Sequence, residues 1–290
     1  MRPLRLRIQD AAKRQGIPQP VIEKDYALSY ILAGIASHPA LGDALVFKGG
    51  TALKKVFFGD YRFSEDLDYS AIDAPKDEQL EVAMREAAEE AHRLLSEQGP
   101  FSIQLERYLE RDPHPHGQEA FTIRVRFPWH PEPLCRIKVE ITHDEPVLLH
   151  PERRRLMHGY KECLPFDVCC YRLEEIVAEK LRTLLQTHQR LVMRGWNRPR
   201  ARDYYDLWRI LEAFGDRLQR EQIMPLLVKK CNHRGVTFES LGDFFSDELV
   251  SEARLHWGAT LGPFVSELPG CQEVFDHLRL LLQDLLPDLG

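Results

Sequence analysis

The stretch FKGGTALKKVFFGDYRFSEDLDYS, residues 47–70, decides how the fold is read. A short β-like run, ALVF (44–47), leads into Gly49, Gly50 and Thr51. A helical pattern, TALKKVFF (51–58), follows at once, and LDYSA (67–71) then reads as a strand. A tight strand-to-helix turn by itself asks only for the backbone freedom of glycine. The start of a helix also presents free N–H groups and the positive end of its dipole. With the Thr51 hydroxyl they suit a polyphosphate. Asp66 and Asp68 are two residues apart, so on a strand their carboxylates share one face. They repel each other there unless a cation sits between them, and Mg²⁺, which takes carboxylate and phosphate oxygens, is one that fits. The plain alternative is a solvated acidic strand end beside Glu65.

Outward from this stretch, RIKVEIT (136–142) alternates apolar and polar side chains and places Glu140 on a strand. A third carboxylate on a neighbouring strand would complete a two-cation site for displacement at phosphorus. An exposed Glu140 paired with Lys138 is the competing reading. FSIQLERYLE and AFTIRVRFPW alternate in the same way, with PHPHG (113–117) as the turn between them. Helices are expected up to Gln15, from Pro20 through PVIEKDYALSYILAGIAS, and over the acidic segment 76–98. From about Phe166 the pattern turns helical: LEEIVAEKLRTLLQTHQRL, ARDYYDLWRILEAF, then 217–231, 246–258 and 270–285. The expectation is an α+β fold: an α/β lobe with a mixed or antiparallel sheet over 1–165, including the N-terminal helices, and an all-helical lobe over 166–290, with the boundary in the LPFD turn.

Composition narrows the function classes. Hydrophobic residues make up 43% and charged residues 29%, as in globular chains. No run approaches the ~20 apolar residues of a membrane span, and MRPLRLRIQD has no apolar core behind its arginines, so a cytoplasmic protein is expected. The six cysteines form no CxxC pair, which favours reduced thiols over a zinc or disulfide framework. A net charge of -6 does not describe a generally basic nucleic-acid binder. RLVMRGWNRPRAR (190–202) nevertheless holds five arginines and no acid, and RRR at 153–155 is a second basic point. Arg194, Arg198 and Arg200, with Trp196 for stacking, suit an RNA backbone, while a flexible basic loop is the bland reading. On the helix around Lys180 the apolar stripe is Leu173, Ile176, Val177, Leu181 and Leu184. Opposite that stripe Lys180 would be merely solvated, and Asp203 and Asp206 would be intrahelical partners of Arg200 or Arg209.

A glycine pair with Thr, a DxD strand and a later acidic strand resemble the DNA polymerase β-like nucleotidyltransferase superfamily. Six ordered blocks are closer still: EKDYALSYIL (23–32), FKGGTALKKVF (47–57), RFSEDLDYS (62–70), KVEI (138–141), EEIVAEKLRTLL (174–185) and RARDYYDLW (200–208). Together they resemble the AbiEii/AbiGii toxin family, the nucleotidyltransferase toxins of abortive-infection and toxin–antitoxin systems. The resemblance implies nucleotide phosphates on Gly49, Gly50 and Thr51, with Lys48 or Lys54 close by. It implies metal on Asp66, Asp68 and Glu140, and Ser64 beside the triphosphate. It sets Lys180 toward the triphosphate and makes Asp203 necessary for activity. The implied reaction is nucleotidyl transfer from an NTP, with two Mg²⁺ ions, to an RNA acceptor, the tRNA 3′ end in some relatives. A cognate antitoxin is the implied partner, and in some relatives an antitoxin kinase phosphorylates the serine matched by Ser64. A small-molecule nucleotidyltransferase, a kinase-like phosphotransferase and a non-catalytic nucleotide-binding module stay open as rivals.

Overall fold

Burial obeys the alternation of CRIKVEIT. Cys135, Ile137, Val139 and Ile141 are buried, Arg136 is exposed, and Lys138, Glu140 and Thr142 keep a half-exposed face. The computed structural model describes residues 2–108, 117–195 and 198–289. The PHPHG turn with His114 and His116, apart from Gly117, and also Trp196, lie outside the described residues. The chain divides into two units, Met1–Tyr171 and Arg172–Gly290.

In the first unit the order is α1 (Leu4–Gln15), α2 (Gln19–Ser37), β1 (Leu45–Lys48), α3 (Gly49–Ala52), a π turn (Leu53–Phe57), β2 (Asp66–Ala71), α4 (Asp77–Ser96), β3 (Ser102–Tyr108), β4 (Gln118–Arg126), β5 (Cys135–Thr142), β6 (Glu152–Arg155) and β7 (Asp167–Cys170). The seven strands make one mixed sheet in the order β3-β4-β5-β2-β1-β7-β6. The β2–β5 and β1–β7 pairs are parallel and the other four antiparallel. Helix α2 is buried nearly all round and, from Tyr26 on, carries no charge, as suits a helix inside a core; Ile22, Tyr26, Ala27, Leu28, Ile31 and Leu32 are buried, and so are Glu23 and Asp25. It lies against α4, β5 and β7. Helix α4 turns Leu80, Met84, Ala87, Ala91 and Leu95 inward and leaves its glutamates outside.

Two strands escape the sequence reading. β7 is the four-residue run DVCC, whose last three residues are all buried, so no polar alternation marks it. β6 is ERRR, a composition of low β-propensity that becomes a strand because β7 offers it an edge. Its arginines are also paired. Arg153 bonds Asp43, Arg154 lies 2.6 Å from Glu152 and over the Phe57 ring, and Arg155 lies 3.3 Å from Asp167.

The second unit is helical: α5 (Leu173–Arg194), α6 (Ala201–Phe214), α7 (Arg220–Arg234), α8 (Asp247–Leu261) and α9 (Cys271–Leu285). Helix α5 lies against α6, α7 and α8, and α6 against α8 and α9. No helix among the described residues is long and apolar enough to cross a membrane. All six cysteines are free thiols, and four of them are buried.

Candidate active site

β2 runs between β1 and β5, and register does the assembling. Lys48 stands opposite Asp68, which stands opposite Glu140, and Asp66 stands opposite Lys138. Residues paired across a sheet project to the same side, so two cations and three carboxylates share one face of the central strands. Lys48 is buried, with its ammonium 5.6 Å from the centre of the Tyr171 ring.

The glycines lie directly beneath these acids. Gly49 opens α3 with φ +78°, a backbone conformation that L side chains rarely adopt. A Cβ there would stand 2.4 Å from Oδ2 of Asp68. At Gly50 a Cβ would stand 2.4 Å from Nη2 of Arg62 and 3.3 Å from the Ser64 hydroxyl. Both glycines therefore serve close approach, one to the strand carboxylate and the other to the loop that carries Ser64. Thr51 is fully buried, and its hydroxyl donates to the Asp66 carbonyl at 2.5 Å, which ties the turn to β2. Lys54 donates to the Tyr61 carbonyl at 3.2 Å and lies over the Phe63 ring.

The acids differ in setting. Asp66 keeps an exposed edge, but its carboxyl is pushed above the ordinary value, first by burial and then by the charges of Glu140 and Glu65; Lys24 and Lys138 pull the other way. Glu140 accepts from Lys138 at 2.5 Å and from Gln118 at 2.8 Å. The Lys138 pairing that the sequence left open is thus present, and Lys138 also lies 5.1 Å from the Tyr108 ring centre. Among the described residues no group of three or more His, Cys, Asp or Glu side chains is gathered closely enough to hold a metal ion as it stands. The donor chemistry nonetheless fits a hard divalent cation. Asp66 and Asp68 share a face, and the Asp66 carboxyl, raised first by burial and then by the charges of Glu140 and Glu65, is one whose ionised form a cation would favour.

In the helical unit Lys180 is not solvated. Its ammonium lies 2.9 Å from Asp203 and 2.7 Å from Asp206, and Asp206 is fully buried. The i,i+4 and i,i+3 arithmetic of α6 pointed to Arg200 and Arg209, whereas the close partner comes from α5. Arg200 reaches Asp203 only at 3.6 Å and donates from Nε to the Thr187 hydroxyl at 2.8 Å. It is turned inward, and burial depresses its guanidinium. Arg194 and Arg198 are exposed or partly exposed on either side of the undescribed pair 196–197.

Arg62 is the residue that sequence reasoning passed over. It is buried, donates to the Phe63 carbonyl at 3.2 Å and sits against Gly50. The signal was an arginine two residues before Ser64, inside a block already noted for its acids. Gln118, at the start of β4, was missed because nothing local ties it to Glu140.

Gly49→Ala is expected to lower catalysis about 10²-fold, the scale of a misplacement near 1 Å, because the added methyl displaces Asp68. Rate and thermal midpoint measured together check this, and a fully active Gly49→Ala protein would show that the close approach is dispensable.

A family model described as "Nucleotidyl transferase AbiEii toxin, Type IV TA system" matches residues 30–279. No curated protein matches the chain. Among solved structures, MenT4, a nucleotidyltransferase toxin from Mycobacterium tuberculosis, is similar over 94% of this chain and 85% of its own, with 24% identity and a TM-score of 0.59. At that identity the likeness speaks for the fold.

Proposed function

We propose, from the premise that the chain belongs to the AbiEii family of nucleotidyltransferase toxins, that it transfers a nucleoside monophosphate from an NTP to an RNA acceptor, the 3′ end of tRNA, and so blocks translation. Family membership makes it a nucleotidyltransferase of a type IV toxin–antitoxin system. Enzymes of this kind use an NTP and a divalent metal, and the finer assignments below are our reading.

The observation that carries the proposal is the close approach of the Asp68 carboxylate to Gly49 at the first turn of α3, where an added Cβ would stand 2.4 Å from Oδ2. An acid of β2 beside the first turn of a helix supports the reading of a site for a metal-bound triphosphate. Gly49 and Gly50 receive the phosphates, with Lys48 behind them and Ser64 alongside. Thr51 holds the turn onto β2. Asp66 and Asp68, with Glu140 as the third acid, would hold Mg²⁺, two ions in the full reading. The metal, when bound, would neutralise the triphosphate and lower the pKa of the acceptor hydroxyl. The acceptor oxygen forms a bond to the α-phosphorus as the bond to pyrophosphate breaks, and a carboxylate of the set takes the hydroxyl proton. Lys180 and Asp203 are assigned to the same reaction on the family resemblance, Lys180 as a cation for the leaving pyrophosphate. Arg194 and Arg198 are the RNA contacts we favour, and Arg200 is a positioning residue for α6. The reaction is placed in the cytoplasm, with a cognate antitoxin as the regulator.

The test is incubation of purified protein with total RNA, Mg²⁺ and each α-labelled or γ-labelled NTP in turn. The expected result is α label on RNA of tRNA size, with none from the γ position and none after chelation. Transfer of the γ label would make the protein a phosphotransferase. Label confined to small molecules would favour the small-molecule enzyme, and no label anywhere would favour a binding module.

A further inference from the structure

We propose that Arg62 is a positioning residue for the nucleotide: its buried guanidinium holds Gly50 and the Ser64 hydroxyl in one geometry, and that geometry sets the affinity for the triphosphate. The inference rests on the assignment of the triphosphate to the glycine turn.

Residues 58–65 join the π turn to β2 without helix or strand, so side chains must fix their course. Lys54 donates to the Tyr61 carbonyl at 3.2 Å, and its ammonium lies 3.9 Å from the centre of the Phe63 ring. Tyr61 stacks on Phe58 with ring centroids 4.5 Å apart. Thr51 donates to the Asp66 carbonyl at 2.5 Å. These contacts secure the chain on both sides of Ser64. Arg62 adds the contact with the glycine turn itself.

Its guanidinium fills the space that a side chain at position 50 would need. A Cβ on Gly50 would stand 2.4 Å from Nη2, 3.2 Å from Cζ and 3.3 Å from the Ser64 hydroxyl. Nη2 and the Ser64 hydroxyl thus border the same point over the turn. Nη1 donates to the Phe63 carbonyl at 3.2 Å, which sets the plane of the fork from the loop side. An exposed arginine would swing aside at little cost. Arg62 is only 4% exposed and is bonded to the main chain, so it is held where it stands.

The charge is held there too, because a guanidinium does not release its proton in proteins. Burying it is costly, and packing alone would be served better by an apolar side chain of similar size. What arginine adds is a rigid fork of donors together with positive potential where the phosphates are assigned. Lysine would supply the potential without the fork. Arg62 therefore acts through Gly50 and Ser64, and not on the reacting atoms.

The test uses the full chain and three measurements: calorimetric titration with an NTP and Mg²⁺, α-label transfer with KM and kcat separated, and thermal melting. Arg62→Lys is expected to weaken NTP binding and raise KM about tenfold, the loss of one charge-assisted contact, with a smaller change in kcat and a wild-type melting temperature. A merely structural arginine would instead lower the melting temperature and leave the affinity of the folded protein unchanged. Gly50→Ala keeps the arginine but displaces it, so it is expected to weaken binding in the same way, and it carries the test if Arg62→Lys fails to fold. Both changes act through one contact, so the double variant is expected to bind within about twofold of the weaker single variant. Wild-type NTP affinity in either single variant overturns the proposal, as does a double variant whose loss is the product of the two single losses. A wild-type protein that binds no NTP overturns it together with the assignment of phosphates to the turn. A wild-type protein that binds NTP and transfers none removes the proposed reaction alone, and the binding comparison still decides the role of Arg62.

Discussion

Asp68→Asn lowers nucleotidyl transfer by about 10³-fold, the upper range for removing one group aimed at developing charge in a dry site. Asparagine keeps the shape of the side chain, so its close approach to Gly49 survives while the negative charge is lost. Asp68 is the central member of the row formed with Lys48 and Glu140, and it borders the first turn of α3. The lost charge is therefore the one nearest the proposed phosphate cradle. The measurement is α-label transfer to RNA under saturating NTP, beside thermal melting of the same preparation. A variant within tenfold of wild type would remove Asp68 from the catalytic set and with it the mechanism. Toxicity on overexpression should be lost in parallel, and toxicity that survives without transfer would point to a different activity.

Lys180→Met costs about 3–5 kcal/mol of stability in the helical unit, the cost of breaking a buried pair by removing one partner. The ammonium lies between Asp203 and Asp206, and Asp206 has no exposed surface through which water could replace it. Asp203 also has Arg200 at 3.6 Å. Denaturant unfolding measures the loss, and an unchanged midpoint would mean that the carboxylates find other partners. A lost activity in Lys180→Met thus has two origins, structural and catalytic. Lys180→Met paired with Asp206→Leu separates them, since it removes the buried charge along with its partner. If stability returns and transfer does not, Lys180 acts on the substrate. If both return, its role is to join α5 to α6.

Much of the first unit could be read locally. β2 and β5 are short strands whose alternation shows which face is apolar, and Asp66, Asp68 and Glu140 fall on the other face by counting. The glycine turn was legible because Gly-Gly before a helical pattern has few alternatives. The all-helical character of the second unit was legible from the period of its apolar residues. Strands β6 and β7 were not, because ERRR and DVCC have no pattern of their own and become strands only through their neighbours.

The sequence by itself determined the elements and the side of each element on which a charge stands, because backbone geometry ties position along the chain to direction in space. It also determined the family, through six blocks kept in order. Only the tertiary structure decided partners. Lys138 and Gln118 bond Glu140, Arg62 lies beneath Gly50, and Lys180 serves two aspartates of another helix. Those pairings depend on strand register and helix packing, which bring together residues that are distant in the chain and follow no local period.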